Sequence, residues 1–233
     1  AWNVQGTLLA SGSLDITIKI WDTKTWECLQ TLEGHTNWVN SVAWNSQGTK
    51  LASGSSDNTI KIWDSKSWMC IQTLEGHTKY VTSIAWNSQG MLASGSWDRT
   101  VKIWDSNDSK SWNCIQTLED YAQFVSSVAW NPQGTKLASG SWDNTIKIWD
   151  LNTWKCIQTL ESHTIGVYSV AWNPQGTLLA SGAYDKSIKI WDTKTWKCLQ
   201  TLECHTSYVI SVAWNYQGIL ASGSVDRTIK VWK

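Results

Sequence analysis

Apolar and polar residues alternate in short runs along the whole chain, and no stretch keeps the 3.6-residue spacing of an amphipathic helix. Around residues 39–74 the runs are Val39-Asn40-Ser41-Val42-Ala43-Trp44, Leu51 to Ser55, Thr59 to Trp63 and Trp68 to Thr73. Each predicts a short strand. The segments between them carry turn chemistry: Asn45-Ser46-Gln47-Gly48, Ser56-Asp57-Asn58 and Asp64-Ser65-Lys66-Ser67. Asn and Asp side chains bond their own backbone in such turns, and Pro132 and Pro174, in two copies of the first turn, pre-set its φ.

The pattern repeats. Ala-Trp-Asn begins at Ala1, Ala43, Ala85, Ala129, Ala171 and Ala213, at spacings of 42, 42, 44, 42 and 42 residues, and the third run ends in register at Trp21, Trp63, Trp104, Trp149, Trp191 and Trp232. The longer spacing arises where Ser106-Asn107-Asp108-Ser109-Lys110 lengthens a turn and Gly90-Met91-Leu92 shortens another. A period of this size predicts a repeat architecture. Four short antiparallel strands cannot bury both faces alone, but like sheets packed radially can. The chain is therefore expected to be all-β, a propeller of four-stranded antiparallel blades forming one domain over residues 1–233. Six blades are visible, at about 1–32, 36–74, 78–118, 122–160, 164–202 and 206–233, the first and last incomplete. Against the second copy, about 20 residues separate the last Trp from a following Ala-Trp-Asn. The full ring is accordingly expected to have six or seven blades, with sequence missing upstream.

The runs SGSSDNTIKIWD and TLEGHT resemble the WD40 repeat family, over the whole chain and in register. Arrays this uniform resemble those found as C-terminal sensor or scaffold domains of larger microbial and fungal proteins. The resemblance implies a structural tetrad in each blade: His35-Ser53-Asp57-Trp63, His77-Ser94-Asp98-Trp104, His163-Ser181-Asp185-Trp191 and His205-Ser222-Asp226-Trp232. The first copy supplies Ser11, Asp15 and Trp21. The fourth departs, with Asp120-Tyr121 in place of Gly-His beside Ser139, Asp143 and Trp149. Physical chemistry supports the set, because a buried Asp needs donors, and His, Ser hydroxyl and indole N–H are compatible partners. All four histidines occupy this one repeated position, which argues for structure over catalysis or metal binding.

Charge balances at 19 basic against 19 acidic residues, with no basic run, which argues against nucleic acid or an anionic membrane as partner. Cys28, Cys70, Cys114, Cys156 and Cys198 share one repeat position, too far apart for disulfides, and read as small, buried-type free thiols. Free thiols favour a reducing compartment, so a cytoplasmic location is expected. Cys204 beside His205 is the one conceivable metal pair, and it lacks further ligands. No nucleophile motif, phosphate-cradling loop or metal triad appears, so neither enzyme activity nor a cofactor is expected.

Of 20 tryptophans, seventeen occupy repeated positions: the Ala-Trp-Asn set, the third-run ends, and Trp26, Trp68, Trp112, Trp154 and Trp196, expected to begin the outer strands. Trp38, Trp97 and Trp142 are not repeated. Comparing copies separates what stacking needs from what a ligand can use. The residue before the hairpin Asp reads Leu14, Ser56, Trp97, Trp142, Tyr184 and Val225. Three residues after the His position stand Trp38, Tyr80, Phe124, Gly166 and Tyr208, and five after it Asn40, Thr82, Ser126, Tyr168 and Ile210. Both sets belong to turns at one end of the strands, the face the resemblance gives as the partner surface. Trp38, Asn40, Tyr80, Thr82, Trp97, Phe124, Trp142, Tyr168, Tyr184 and Tyr208 are the candidate partner-binding residues, against the reading that the rings merely pack over the tetrads. The expected function is a non-catalytic scaffold or sensor binding protein or peptide. The alternative is a small ligand at the channel mouth, through a methyl-lysine cage or sugar stacking.

Overall fold

The computed structural model describes residues 1–106 and 111–233, and divides into two compact units, Ala1–Glu119 and Asp120–Lys233. Residues 107–110 of the lengthened turn lie outside the described residues. All regular structure among the described residues is β-strand, in antiparallel sheets whose strands pair in chain order.

In the first unit, Leu8–Gly12, Ile18–Asp22 and Cys28–Leu32 form a three-stranded sheet, with Trp2 bridging to Leu9. Two four-stranded blades follow: Val39–Trp44, Lys50–Ser55, Ile60–Asp64 and Cys70–Leu74, then Val81–Trp86, Leu92–Ser96, Val101–Asp105 and Asn113–Leu118. The second unit has two blades of four, Val125–Trp130 through Cys156–Glu161 and Val167–Trp172 through Cys198–Leu202, then Val209–Trp214, Leu220–Ser224 and Ile229–Trp232. The first and last blades are thus incomplete, as expected.

Local chemistry sets the strand ends. Asn45 Oδ1 accepts from the amides of Thr49 and Lys50, closing the turn at Gly48. Asp64 Oδ1 accepts from the amides of Lys66 and Ser67, and Trp68 N donates to Asp64 O at 2.9 Å. That turn puts Trp68 at φ 58°, with Trp26, Trp154 and Trp196 alike at 61°, 54° and 58°. These tryptophans therefore do not begin the outer strands; they sit in the preceding turn, and the strands begin at Cys70, Cys28, Cys156 and Cys198. The left-handed turn lays the ring back over the sheet, where Trp68 meets Trp44 edge-on at 6.0 Å. Trp2–Trp26, Trp86–Trp112 and Trp172–Trp196 repeat the contact.

The cysteines also differ from expectation. Cys28, Cys70, Cys114 and Cys198 are exposed and Cys156 is half-buried, all free thiols. They open the outermost strand, which has no neighbouring strand on its far side to cover them.

Blades within a unit are joined by apolar packing and by hydrogen bonds. Ile60 and Ile62 are 0% exposed, enclosed with Val81, Ile84 and Leu92 of the next blade. Trp86 Nε1 donates to Ala43 O at 3.0 Å and Ile84 N to Ser41 Oγ at 3.1 Å. In the second unit Trp172 and Trp214 make the same indole bond to Ala129 and Ala171. Beyond the last blade the matching apolar face is uncovered, leaving Ile229 78% exposed.

Close approach explains the glycine of the second strand. A Cβ on Gly54 would stand 2.7 Å from Val81 Cγ1, and the equivalents Gly12, Gly140 and Gly182 face the next valine similarly. Gly54→Ala is expected to destabilise the protein by about 1–3 kcal/mol through overpacking. A urea denaturation midpoint unchanged from wild type would show that the junction yields where the packing says it cannot.

Candidate functional site

Each complete tetrad runs from the sheet interior to the hairpin tip. Trp63 Nε1 donates to Ser53 Oγ at 2.9 Å, Ser53 Oγ meets His35 Nε2 at 2.7 Å, and His35 Nδ1 meets Asp57 Oδ2 at 2.7 Å. An ionised Asp accepts only, so Nδ1 carries the proton and Nε2 accepts from the serine hydroxyl, a tautomer assigned from the network. His77-Ser94-Asp98-Trp104, His163-Ser181-Asp185-Trp191 and His205-Ser222-Asp226-Trp232 repeat it. Burial pushes the Asp57 carboxyl upward. The His35 ring, the Thr59 hydroxyl and the amides of Thr36 and Thr59 outweigh it and hold the group well below the ordinary carboxylate range. The Asp98 and Asp185 carboxyls are held down in the same way.

Asp–His–Ser in this order also describes a hydrolase triad, but the serine cannot act as a nucleophile here. Ser53, Ser94 and Ser181 are fully buried, and each hydroxyl already accepts an indole N–H. The Cys204–His205 pair offers a metal little, because both His205 ring nitrogens are engaged, with Asp226 and Ser222. No cluster of three potential metal ligands occurs among the described residues.

The fourth blade keeps the pin by other means. Tyr121 OH lies 2.6 Å from Ser139 Oγ, which also accepts from Trp149 Nε1 at 2.9 Å. Ser139 turns its own proton toward Lys147 O at 3.3 Å, so Tyr121 donates. Burial raises the Tyr121 hydroxyl well above its usual value, which keeps that proton in place. Tyr121 OH bonds Ser139 and not Asp143, whose Oδ2 accepts from the Ala122 amide at 3.2 Å. Asp120, replacing glycine, pairs with buried Lys147 at 2.7 Å. In this departing blade the serine is satisfied, and no side chain of the entry loop links it to the hairpin Asp143 as histidine does in the others. In the first blade Trp21 Nε1 still donates to Ser11 Oγ at 2.9 Å, and Asp15 Oδ1 accepts from the amide and hydroxyl of Thr17.

The two variable positions are joined by backbone in every blade that has both. Trp97 N donates to Tyr80 O, Trp142 N to Phe124 O, Tyr184 N to Gly166 O, Val225 N to Tyr208 O and Ser56 N to Trp38 O. In the first unit Tyr80 and Trp97 lie 5.2 Å apart and tilted, while Trp38, opposite Ser56, stands 50% exposed. In the second unit the rings form a chain: Phe124–Trp142 at 4.7 Å, Trp142–Tyr184 at 4.5 Å and Tyr184–Tyr208 at 4.0 Å, with Tyr168 stacked on Tyr184 at 5.7 Å. Gly166 makes this possible, since a Cβ there would lie 3.1 Å from the Trp142 ring. Trp142 Nε1 is buried without a hydrogen-bond partner.

The third variable position divides. Asn40 Nδ2 donates to Ser56 Oγ and to Val81 O of the next blade, Thr82 Oγ1 to Gly95 O, and Ser126 Oγ to Gly140 O and Val167 O. Asn40 and Thr82 are therefore engaged in the frame, whereas Tyr168 joins the rings. Sequence reading passed over Lys79, although its charge is unlike Asn37, Gln123, Ile165 and Ser207 at the same loop position.

The model of the family described as WD domain, G-beta repeat matches residues 1–22, 26–64, 68–105, 112–150, 154–192 and 196–233. These segments start at the outer strand, one strand out of phase with the sheets. A stretch of 40 residues is 48% identical to the nuclear distribution protein PAC1 of Fusarium vanettenii, covering 17% of this chain and 9% of that relative.

Because Asp57, Asp98 and Asp185 are depressed on folding, the unfolded chain binds more protons than the folded protein at acid pH. Their stabilisation is complete above the unfolded carboxylate value near about pH 4 and is lost as pH falls below it. Urea midpoints followed by tryptophan fluorescence should drop between about pH 4 and pH 2; a flat profile there would sink the assignment. Tyr121→Phe removes the donor to Ser139 and is expected to cost about 1 kcal/mol in the same assay at neutral pH.

Proposed function

The chain belongs to the WD40 repeat family, whose members generally serve as protein-interaction scaffolds, and from this premise we propose that it is a non-catalytic platform for a protein or peptide, bound on the aromatic-bearing turns. One observation carries the reading: most of the side chains at the two turn positions joined by backbone bonds are large aromatics, and they are left part-exposed. Repeated positions serve the stacking. Trp and Tyr anchors on a fixed frame offer contact area at small entropic cost.

The way the rings lie supports a broad partner over a methyl-lysine cage. A cage needs ring faces open around a cation. Tyr184 and Tyr208 instead close face to face at 4.0 Å and 19°. Their part-exposed edges suit a surface that docks against another chain. As a soluble-partner scaffold the protein would act by holding, and its buried serines would take no part in chemistry.

Affinity capture from the source cells, comparing wild type with the triple variant W97A, W142A, Y184A and with W26A as a rim control, tests this. At least one partner is expected to disappear with the triple variant alone while the melting curve stays cooperative. Identical partner sets for all three proteins would overturn the reading.

A further inference from the structure

Between the second and third blades, the hairpin tip of one sheet and the entry loop of the next enclose a cleft of about 310 Å³, lined by Asn58, Thr78, Lys79, Tyr80 and Trp97. All five belong to the first unit. The walls are held before anything binds. Thr78 N donates to Asp98 Oδ2 at 3.0 Å, Ser96 Oγ to Lys79 O at 3.1 Å, and Trp97 N to Tyr80 O at 2.9 Å.

Three features of the cleft are chemically distinct. Asn58 Oδ1 is buried and has no hydrogen-bond partner. The equivalent Asn144 spans its own junction, donating to Thr164 O at 3.4 Å, and has no buried unpartnered atom. A desolvated acceptor without a donor is unfavourable until a ligand N–H supplies one. Lys79 is exposed and enters no ion pair among the described residues. It is also the one cation among the five residues at its loop position, the others being Asn37, Gln123, Ile165 and Ser207. Tyr80 and Trp97, 39% and 44% exposed, form an apolar wall beside it. Asp57 and Asp98, in the two hairpins beside the cleft, give their oxygens to histidines, threonines and loop amides, and neither pairs with Lys79.

We propose that this cleft is a subsite for an extended peptide segment carrying an acidic side chain. The carboxylate pairs with Lys79, a neighbouring backbone N–H donates to Asn58 Oδ1, and an adjacent apolar side chain lies against Tyr80 and Trp97. The assignment rests on the reading of these turns as a peptide-binding surface and adds the charge and the place.

The test is panning a phage-displayed random heptapeptide library on the whole chain at low salt. Enriched peptides should share an Asp or Glu beside an apolar residue. As synthetic peptides they should lose about tenfold in affinity with Lys79→Glu, about 1.4 kcal/mol, and weaken as salt rises. Asn58→Gly, which keeps the left-handed backbone at φ 72°, should weaken them severalfold; Lys24→Glu on a rim turn should not. The Lys79 side chain has no ion-pair partner among the described residues, so its variant keeps the wild-type melting curve. Peptides that need Trp97 but lack an acidic residue, or ignore Lys79→Glu, would overturn the subsite and leave the platform reading intact. Peptides indifferent to Trp97→Ala as well, or no enrichment at all, would overturn both.

Discussion

One serine hydroxyl per blade, buried in five of the six, holds the structure together, and the tryptophan of the third strand donates to it in all six copies. A hydroxyl has one proton and two lone pairs, so after accepting the indole it can still donate one bond and accept another. Opposite histidine it gives. Opposite Tyr121 it takes, and sends its proton to Lys147 O instead. This reversibility explains how the fourth blade survives loss of its histidine with the same strand pairing as its neighbours.

The histidine adds something the serine alone cannot, a link from the sheet interior to the hairpin tip. Asp57 divides its oxygens between two tasks: Oδ1 accepts from the amide and hydroxyl of Thr59, shaping the hairpin, and Oδ2 accepts from His35 and the Thr36 amide. In the first blade Asp15 performs the first task without the second, and the hairpin still forms. Turn shape and turn anchoring are therefore separate. The anchoring fixes the entry loop against the hairpin and gives the variable aromatic residues their defined positions.

Strands, period and tetrads were legible in the sequence because each depends on local pattern or on a residue type with few compatible partners. Three features were not. The outer tryptophans looked like strand starters, since large aromatics favour strands; the turn closed by Asp64 placed Trp68 in the left-handed region, where only the backbone bond to Asp64 O shows the reason. The Ala-Trp-Asn indoles looked like packing alone, yet Trp86 bonds Ala43 O across 43 residues, a contact set by blade stacking. The cysteines looked buried because Cys usually is, and an edge strand overrode that preference. Lys79 was readable in principle, as the odd member of its column, but its meaning needed the cleft beside it.

Near-identical repeats make the chain its own control. Where every copy must satisfy the same serine, aspartate and glycine constraints, a residue that departs from the others is released from stacking and answers to its local surroundings. Gly166 shows how such departures combine. It lacks the side chain its counterparts carry, and that space is filled by Trp142 of the preceding blade, which in turn reaches Tyr184 at 4.5 Å and leaves its own N–H unpaired. Burying an indole N–H without a partner carries a free-energy cost. The frame tolerates this local cost because its stability lies elsewhere, in the isoleucines and valines enclosed between blades, and so the turn residues can vary without loss of the fold.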